Sequence, residues 1–329
     1  MIISKTPVRI SFFGGGTDIP YYYKKNEFGH VVSTSIDKYI YVFVKKQNFL
    51  FKEKYRLNYS KTEISTSVSK IKNEIIRECI KYFKIDEKIY IGTVSDVPTS
   101  TGLGSSSSFT VGLVNALAYL KNKKLSKYQL AKIASYIEMK LNKDVIGKQD
   151  HYAAAYGGLN SFKFLKNDKV IIQSLNTKMK NLKKIQSSIQ LFYTGIQRSA
   201  ASYLNMQQKN YKRNNFNLNL VKEKSQKFEK ILSTEEFNII DFAKDLENSW
   251  VNKKKFHNKI SSRKIESLYN FAKKNGALAG KILGAGGGGF FLFITPKRKQ
   301  KNLIKELAKK NIYNLDFKFE NNGSKIIFL

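Results

Sequence analysis

Two periodicities run along this chain, one helical and one of two residues. At 97–120, VPTSTGLGSSSSFTVGLVNALAYL, the apolar Leu113, Leu117 and Leu120 recur at i, i+4 and i+7 with Val114 and Ala118 beside them, one face of a helix. Ahead of it, KIYIGTV at 88–94 alternates and is rich in β-branched and aromatic residues, which predicts a strand. A second helix opens at Ser126, which forms a capping box with Gln129, and Leu130, Ile133, Ile137 and Leu141 make its apolar face. KFLKNDKVIIQSL at 163–175 reads as a hairpin turning at Asn167 and Asp168. From 188 onward the strands SIQLFYTG (188–195), GGFFLFIT (288–295) and LDFKFENNGSKIIFL (315–329) alternate with charged helical stretches at 201–232, 234–274 and near 297–310. No internal repeat is visible in the segments. Helices and strands alternating in both halves predict a mixed α/β protein of two packed lobes.

Composition narrows the class. With 42% hydrophobic residues, 23 Phe and 19 Tyr among them, the 329 residues can bury a core as one large or two medium domains. No apolar run approaches the roughly 18 residues of a membrane span, and the first residues lack a signal-peptide apolar segment; a cytoplasmic protein with no membrane partner is expected. The single Cys79 rules out an internal disulfide and fits a reducing compartment, and the three histidines give no zinc-like spacing. The formal net charge is +34, but lysines are scattered, with short runs only at 121–124 and 253–255. Charge spread this way gives a lysine-rich surface with a general pull on anions, and nucleic acid is not expected as a partner.

The Gly/Ser stretch carries the chemistry. It joins a strand to a helix; the loop serines are good N-caps, and the helix start has unsatisfied N–H groups and a positive dipole end to offer a phosphate, with an ordinary Ser-rich cap as the other reading. The P-loop pattern is absent, because Gly147-Lys148 and Gly280-Lys281 have Asn142 and Asn275 where the first glycine would stand. The dinucleotide fingerprint also fails, with Ser107 at the third glycine and no acidic residue until Glu138. Neither His-Arg-Asp nor Asp-Phe-Gly occurs, which excludes the protein-kinase set. Residues 98–106 fit Pro-x-x-x-Gly-Leu-Gly-Ser-Ser at every fixed position. That pattern resembles the ATP loop of the GHMP small-molecule kinases, the family of galactokinase, homoserine kinase and mevalonate kinase.

Three further stretches fall in the order of that family's motifs. In PVRISFFGGGTDIPYY (7–22) a strand runs into three glycines, Thr17 and Asp18. The segment is open to two readings, a glycine turn with an Asx-type bond or backbone brought close to a ligand with Asp18 aimed at hydroxyls. It resembles the first motif of GHMP sugar kinases, where Arg and Asp have the spacing of Arg9 and Asp18; Gly15-Gly16 replace the Glu-His pair of galactokinases, which implies a wider pocket. In YIEMKLNKDVIGKQDHYAAAYGG (136–158), Glu138 lies at the edge of the helical apolar face, either snorkelling to solvent or holding a cation, and Asp150 follows twelve residues on. GHMP sugar kinases keep a Mg2+-binding Glu and a catalytic Asp at this interval, with Gln where His151 stands. LGAGGGGFF (283–291) satisfies G-x-G-x-x-G, but a strand follows instead of a helix, and it resembles the third GHMP motif, a glycine loop against nucleotide and substrate. FYTGIQRSAASY (192–203) resembles the segment that delivers an Arg, here Arg198, toward the substrate.

The resemblance spans residues 5–295 and implies an α/β, two-lobed GHMP kinase fold. Residues 1–184 would form the ribosomal-protein-like ATP-binding lobe and 185–329 a ferredoxin-like lobe. Pro98, Ser100, Thr101, Gly102, Leu103, Gly104, Ser105, Ser106 and Ser107 would bind ATP. Ser105 or Ser106, with Glu138, would hold Mg2+. Asp150 would accept the proton of the attacking hydroxyl, with Arg9 or Lys148 as its adjacent cation. Gly14, Gly15, Gly16, Thr17, Asp18, Arg198 and Gly287 would meet the substrate, a small sugar phosphate. The motif versions look most like the heptose 7-phosphate 1-kinase branch, which makes the 1,7-bisphosphate for nucleotide-activated heptose and surface polysaccharide. Another sugar or sugar-acid 1-kinase (fucose-, galactose- or glucuronate-type) and, from another class, a basic nucleic-acid-binding protein remain the alternatives. The oligomeric state, a homodimer included, is left open.

Overall fold

The computed structural model describes residues 1–141, 145–175, 179–197, 211–233 and 237–327. Its N-terminal lobe is an eight-stranded sheet of β1 (Ile2–Phe13), β2 (Phe28–Lys46), β3 (Tyr55–Asn58), β4 (Thr62–Ser65), β5 (Ile89–Ser95), β6 (Leu159–Leu165), β7 (Val170–Ser174) and, from the far end of the chain, β12 (Lys325–Ile327). The order is β12-β1-β2-β5-β3-β4, with β6 also on β2 and β7 on β6. The pairings are antiparallel except β3 with β5. Against the sheet lie α1 (Pro20–Tyr23), α2 (Glu74–Tyr82), α3 (Ser105–Leu120), α4 (Lys127–Tyr136), a π-helical turn (Ile137–Leu141) and α5 (Gln149–Tyr156). α3 approaches β1 closely because Gly112 has no side chain; a Cβ there would meet Ser4 Oγ and Thr6 Oγ1 at 2.9 Å. The capping box of Ser126 and Gln129 starts α4 as its sequence predicts.

The second lobe, entered through α6 (Met179–Ser188), holds β8 (Ile189–Tyr193), β9 (Ala279–Ile282), β10 (Phe290–Ile294) and β11 (Asn314–Leu315), in the order β11-β8-β10-β9. All three pairings are antiparallel, the strand order of a ferredoxin-like sheet. Helices α7 (Tyr211–Ser233), α8 (Ile239–Lys254), α9 (Arg263–Lys274) and α10 (Lys297–Ala308) complete it. Two expectations change. The long helical stretch at 234–274 is broken after Lys254, because Ser262 caps a new helix by accepting from Ile265 N–H. The single strand at 315–329 is two short ones on different sheets, since the Asn321-Asn322-Gly323 turn seats Gly323 against the Ala155 carbonyl, where no side chain fits. Among the described residues no helix is long and apolar enough to cross a membrane.

The lobes are joined by aromatic packing at the end of β1. Phe13 meets Phe228 of α7 at 4.9 Å between ring centroids, Phe228 stacks on Phe242 of α8 at 5.0 Å, and Phe12 meets both edge-on. All four rings are buried. Removing a ring from such a cluster loses apolar burial and leaves a cavity. Phe228→Ala should therefore lower unfolding free energy by about 3–5 kcal/mol in urea titrations; a loss under about 1 kcal/mol would show that these rings do not fasten the lobes.

Candidate active site

The glycine-rich stretches meet around one cavity of about 560 Å³. Gly102 sits at φ +85° with its Cα against the Leu283 carbonyl, an added Cβ falling 2.5 Å from that oxygen. Gly289 lies against the Thr101 carbonyl in the same way, and Phe290 N–H donates to Thr101 O at 3.0 Å. The 283–289 loop thus packs directly on the 100–104 loop. Gly104, at φ +78°, is the N-cap of α3 and offers no side-chain cap, so the first N–H groups of the helix are left for another acceptor. Ser105, Ser106 and Ser107 line the cavity at that point.

Asp150, in the first turn of α5, faces the same glycine, with Oδ2 3.1 Å from where a Gly104 Cβ would stand. Arg9 holds it in a two-bond fork, Nε to Oδ1 and Nη2 to Oδ2, both 2.7 Å. The third arm of the guanidinium, Nη1, donates to Gly102 O at 2.6 Å, and the Arg9 backbone N–H donates to Leu103 O at 2.9 Å. Arg9 is 3% exposed, so its guanidinium is shielded from water, while the Asp150 side chain stays 21% exposed.

Glu138 lies on the π-helical turn and is 2% exposed; it does not snorkel to solvent. Ser106 Oγ donates to its Oε1 at 2.8 Å, and Thr110 Oγ1 (3.0 Å) and His151 Nε2 (2.7 Å) donate to Oε2. Burial raises its carboxyl pKa, but the charge and hydrogen bond of His151 and the two hydroxyls outweigh this and leave it below the ordinary value. Oε1 and Ser106 Oγ form an adjacent pair of oxygens at the cavity wall beside the start of α3. No cluster of three His, Cys, Asp or Glu occurs among the described residues. Such a two-oxygen set fits Mg2+, which takes one or two protein ligands and completes its shell with phosphate and water.

At the other wall, Asp18 is 1% exposed; its Oδ1 accepts from Gly16 N–H at 3.0 Å and its Oδ2 from Gln149 N–H at 3.0 Å. Gly147 packs directly on that carboxylate, where any side chain would collide with it. Burial pushes the Asp18 pKa up to about 6, the two backbone donors pull against it, and the neighbouring charge of Asp150 raises it further. Ser11 Oγ and Gln149 Oε1, also on the cavity wall, are buried polar atoms without hydrogen-bond partners, as a site for a hydroxylated ligand would leave them. Gly15 and Gly16 line the cavity where a longer pair would fill it; a Cβ on Gly15 meets nothing closer than Gln149 Nε2 at 3.5 Å.

Not every expected residue reaches the cavity. Lys148 turns away from Asp150: its ammonium bonds Asp168 Oδ1 at 2.8 Å and sits over the Tyr23 ring. Arg9, and not Lys148, is the cation on Asp150. Thr17 is buried and ties the glycine turn together, Oγ1 donating to the Gly14 carbonyl at 2.8 Å and accepting from His30 N–H at 3.0 Å. Gly14 itself lines the cavity, while Gly287 backs onto the Ile260 carbonyl through its N–H. Thr101 Oγ1 donates to Pro98 O, and Leu103 is core; these three shape the loop while Ser100, Gly102 and Gly104 line the space. Arg198 lies outside the described residues. Sequence reading missed two cavity lysines, Lys253 on α8 and Lys281 on β9. The available signal was Lys281 itself, a charged residue in the otherwise small and apolar AGKI strand ahead of the third glycine loop.

Comparison with known proteins agrees with this geometry. Residues 54–158 match the GHMP kinases N terminal domain and 228–314 the GHMP kinases C terminal domain. The chain is 32% identical to a D-glycero-alpha-D-manno-heptose 7-phosphate kinase of Campylobacter jejuni over 98% of both chains. It is 25% identical to a mevalonate kinase of Methanocaldococcus jannaschii over 72% of both. Its fold superposes with TM-score 0.81 on a crystal structure of a D-glycero-D-manno-heptose 1-phosphate kinase from Bacteroides thetaiotaomicron, at 25% identity over 100% of this chain and 99% of that one.

The raised Asp18 pKa fixes a sign. Folded Asp18 holds its proton up to about pH 6 while the unfolded chain releases it near 3.8, so native protein binds more protons in that window and loses stability as pH rises through it. Asp18→Asn removes this dependence. The stability of the variant relative to wild type should increase between pH 4 and 7 by up to about 3 kcal/mol, read from urea midpoints at each pH. A difference that stays flat across this range would show that Asp18 ionises normally.

Proposed function

The chain belongs to the GHMP kinase family and is an ATP-dependent phosphotransferase, and we propose that its acceptor is D-glycero-D-manno-heptose 7-phosphate, phosphorylated on the anomeric C1 hydroxyl to the 1,7-bisphosphate. The product would supply nucleotide-activated heptose for surface polysaccharide. The observation that carries the reading is the Arg9–Asp150 fork facing Gly104 at the uncapped start of α3, a carboxylate held against the phosphate loop. The acceptor is argued from the cavity beside it. Gly15 and Gly16 leave room for a large sugar, and Asp18, Ser11 and Gln149 offer hydrogen-bonding atoms to its hydroxyls. The Campylobacter relative is named for a heptose 7-phosphate and the Bacteroides structure for a heptose 1-phosphate; both names specify a phosphorylated heptose.

The chemistry asked of the chain is alignment and charge placement. Backbone N–H groups at Ser105–Ser107 would cradle the β- and γ-phosphates, and the Arg9 arm on Gly102 O would keep that loop in register with Asp150. Each Asp150 oxygen gives one lone pair to Arg9 and has another for the sugar hydroxyl, whose proton it would accept as the oxygen attacks. Mg2+ held at Glu138 and Ser106 would neutralise phosphate charge.

Asp150→Asn keeps the size and loses the basicity, so kcat should fall about 10²–10⁴-fold with nucleotide affinity nearly unchanged; retention of a third of wild-type kcat would remove Asp150 from this role. Glu138→Gln should raise the Mg2+ concentration for half-maximal rate by about tenfold or more and also destabilise the apo protein, because buried His151 loses its partner. An unchanged Mg2+ requirement would make Glu138 purely structural. The substrate itself is tested by coupled ADP release and phosphorus NMR of the product. Heptose 7-phosphate should be turned over about 10²–10⁴-fold more efficiently than unphosphorylated heptose, with galactose poorer still. Turnover of the neutral sugars within threefold, or a preference for heptose 1-phosphate, would replace this assignment.

A further inference from the structure

Lys281 is a cation that the fold buries without a counter-ion. It is 6% exposed, lines the cavity, and donates to Phe12 O at 2.6 Å. No carboxylate lies within ion-pair distance of it among the described residues. An ammonium has three donors and a large desolvation cost, so this arrangement is unfavourable until an anion arrives. Burial, with the nearby charge of Arg9, pushes its pKa down to about 7. Lys253 stands on the same wall, its ammonium bonded to the carbonyls of Gly284 and Ile282 at the edge of the third glycine loop.

Position along β1 separates this group from the phosphate loop. That loop is tied to β1 at Pro7 and Arg9, through Ser108 Oγ to Pro7 O and Arg9 N–H to Leu103 O, whereas Lys281 is tied at Phe12. Three residues of strand amount to about 10 Å, the scale of a sugar ring with its exocyclic chain. Asp150, held by Arg9, stands at the loop end against Gly104, and Ser11, whose unpartnered hydroxyl faces the cavity, lies between Arg9 and Phe12 on β1. Given a phosphorylated acceptor, as argued above, we propose that Lys281 and Lys253 form the subsite for the acceptor's own phosphate monoester, the phosphate that is not transferred. This places the sugar with its reacting hydroxyl at Asp150 and its charged end on the second lobe, so binding the acceptor draws both lobes onto one molecule.

The test separates this phosphate from the nucleotide's. Lys281→Met and Lys253→Met are compared with wild type on heptose 7-phosphate and on the unphosphorylated heptose, with the Kd of Mg·AMP-PNP measured alongside. Each substitution should lower kcat/KM on heptose 7-phosphate about 10–100-fold, change it less than threefold on the neutral heptose, and leave AMP-PNP affinity unaltered. Lys253→Met, at a half-buried helix position, keeps the test intact if the fully buried Lys281 substitution prevents folding. Variants that keep wild-type discrimination, or that lose AMP-PNP affinity and both sugars equally, overturn the subsite while leaving the substrate assignment standing. A wild type that does not discriminate removes that assignment, and the subsite with it.

Discussion

The fork between Arg9 and Asp150 is the contact on which the rest of the site depends. Arg9 is fixed in the middle of the longest-paired part of the first sheet, with β2 on one side and its own backbone N–H on the Leu103 carbonyl. Its three side-chain arms then bind two separate segments, α5 through Asp150 and the phosphate loop through Gly102 O. A planar guanidinium can do this because its donors point in fixed directions, whereas the donors of a lysine rotate on a flexible stem and would not fix two partners in one geometry. Asp150 is therefore placed relative to the start of α3 by a single side chain, and the distance between its carboxylate and the 100–104 loop is set by that side chain's rigidity.

Such closeness requires glycine wherever a second layer meets the first. Gly102 against Leu283 O, Gly289 against Thr101 O and Gly147 against the Asp18 carboxylate are three contacts in which one methyl group would collide. They join the two lobes at the phosphate loop and join α5 to the first glycine turn. Positive φ adds a second constraint at Gly102 and Gly289, a conformation that costs other residues roughly 1–2 kcal/mol. The glycines that read as ligand-contacting in the sequence thus fall into two groups. Gly14, Gly15, Gly16 and Gly104 border the cavity, Gly287 and Gly289 bring the protein's own backbones together, and Gly102 does both.

That division explains what could be read from the sequence. Motifs local in the chain were legible: the strand–loop–helix at 88–120, the capping box at Ser126 and the 163–175 hairpin all depend on neighbours close in sequence. The direction of a long side chain was not. Lys148 is adjacent in sequence to Gln149 and Asp150, yet the start of α5 sends it outward to Asp168, whose position depends on a hairpin twenty residues away. Lys253 and Lys281 looked like two more of many lysines; only the docking of α8 and β9 beside β1 brings them to the cavity. The final segment failed for the same reason. Alternation at 315–329 is real, but the last piece returns to the first sheet where Gly323 packs on Ala155, a contact within the N-terminal lobe between residues far apart in sequence.

The high overall charge acquires a narrower meaning at this cavity. Most lysines are at the surface, where an exposed ion pair contributes little either way. Inside, Asp18 and Lys281 are both buried, and neither has an oppositely charged partner within ion-pair distance among the described residues. Paired with each other they would stabilise the empty protein and fill the space a ligand needs. Kept apart, each works against folding near neutral pH: Asp18 because its proton has been lost above about pH 6, Lys281 because below about pH 7 it must carry its charge without water. A polyhydroxylated acceptor that donates to Asp18 and carries an anion to Lys281 relieves both conditions at once. On the proposed reading, the stability withheld from the empty fold appears as affinity for a ligand with these two features in this order, and a neutral sugar would meet only the condition at Asp18.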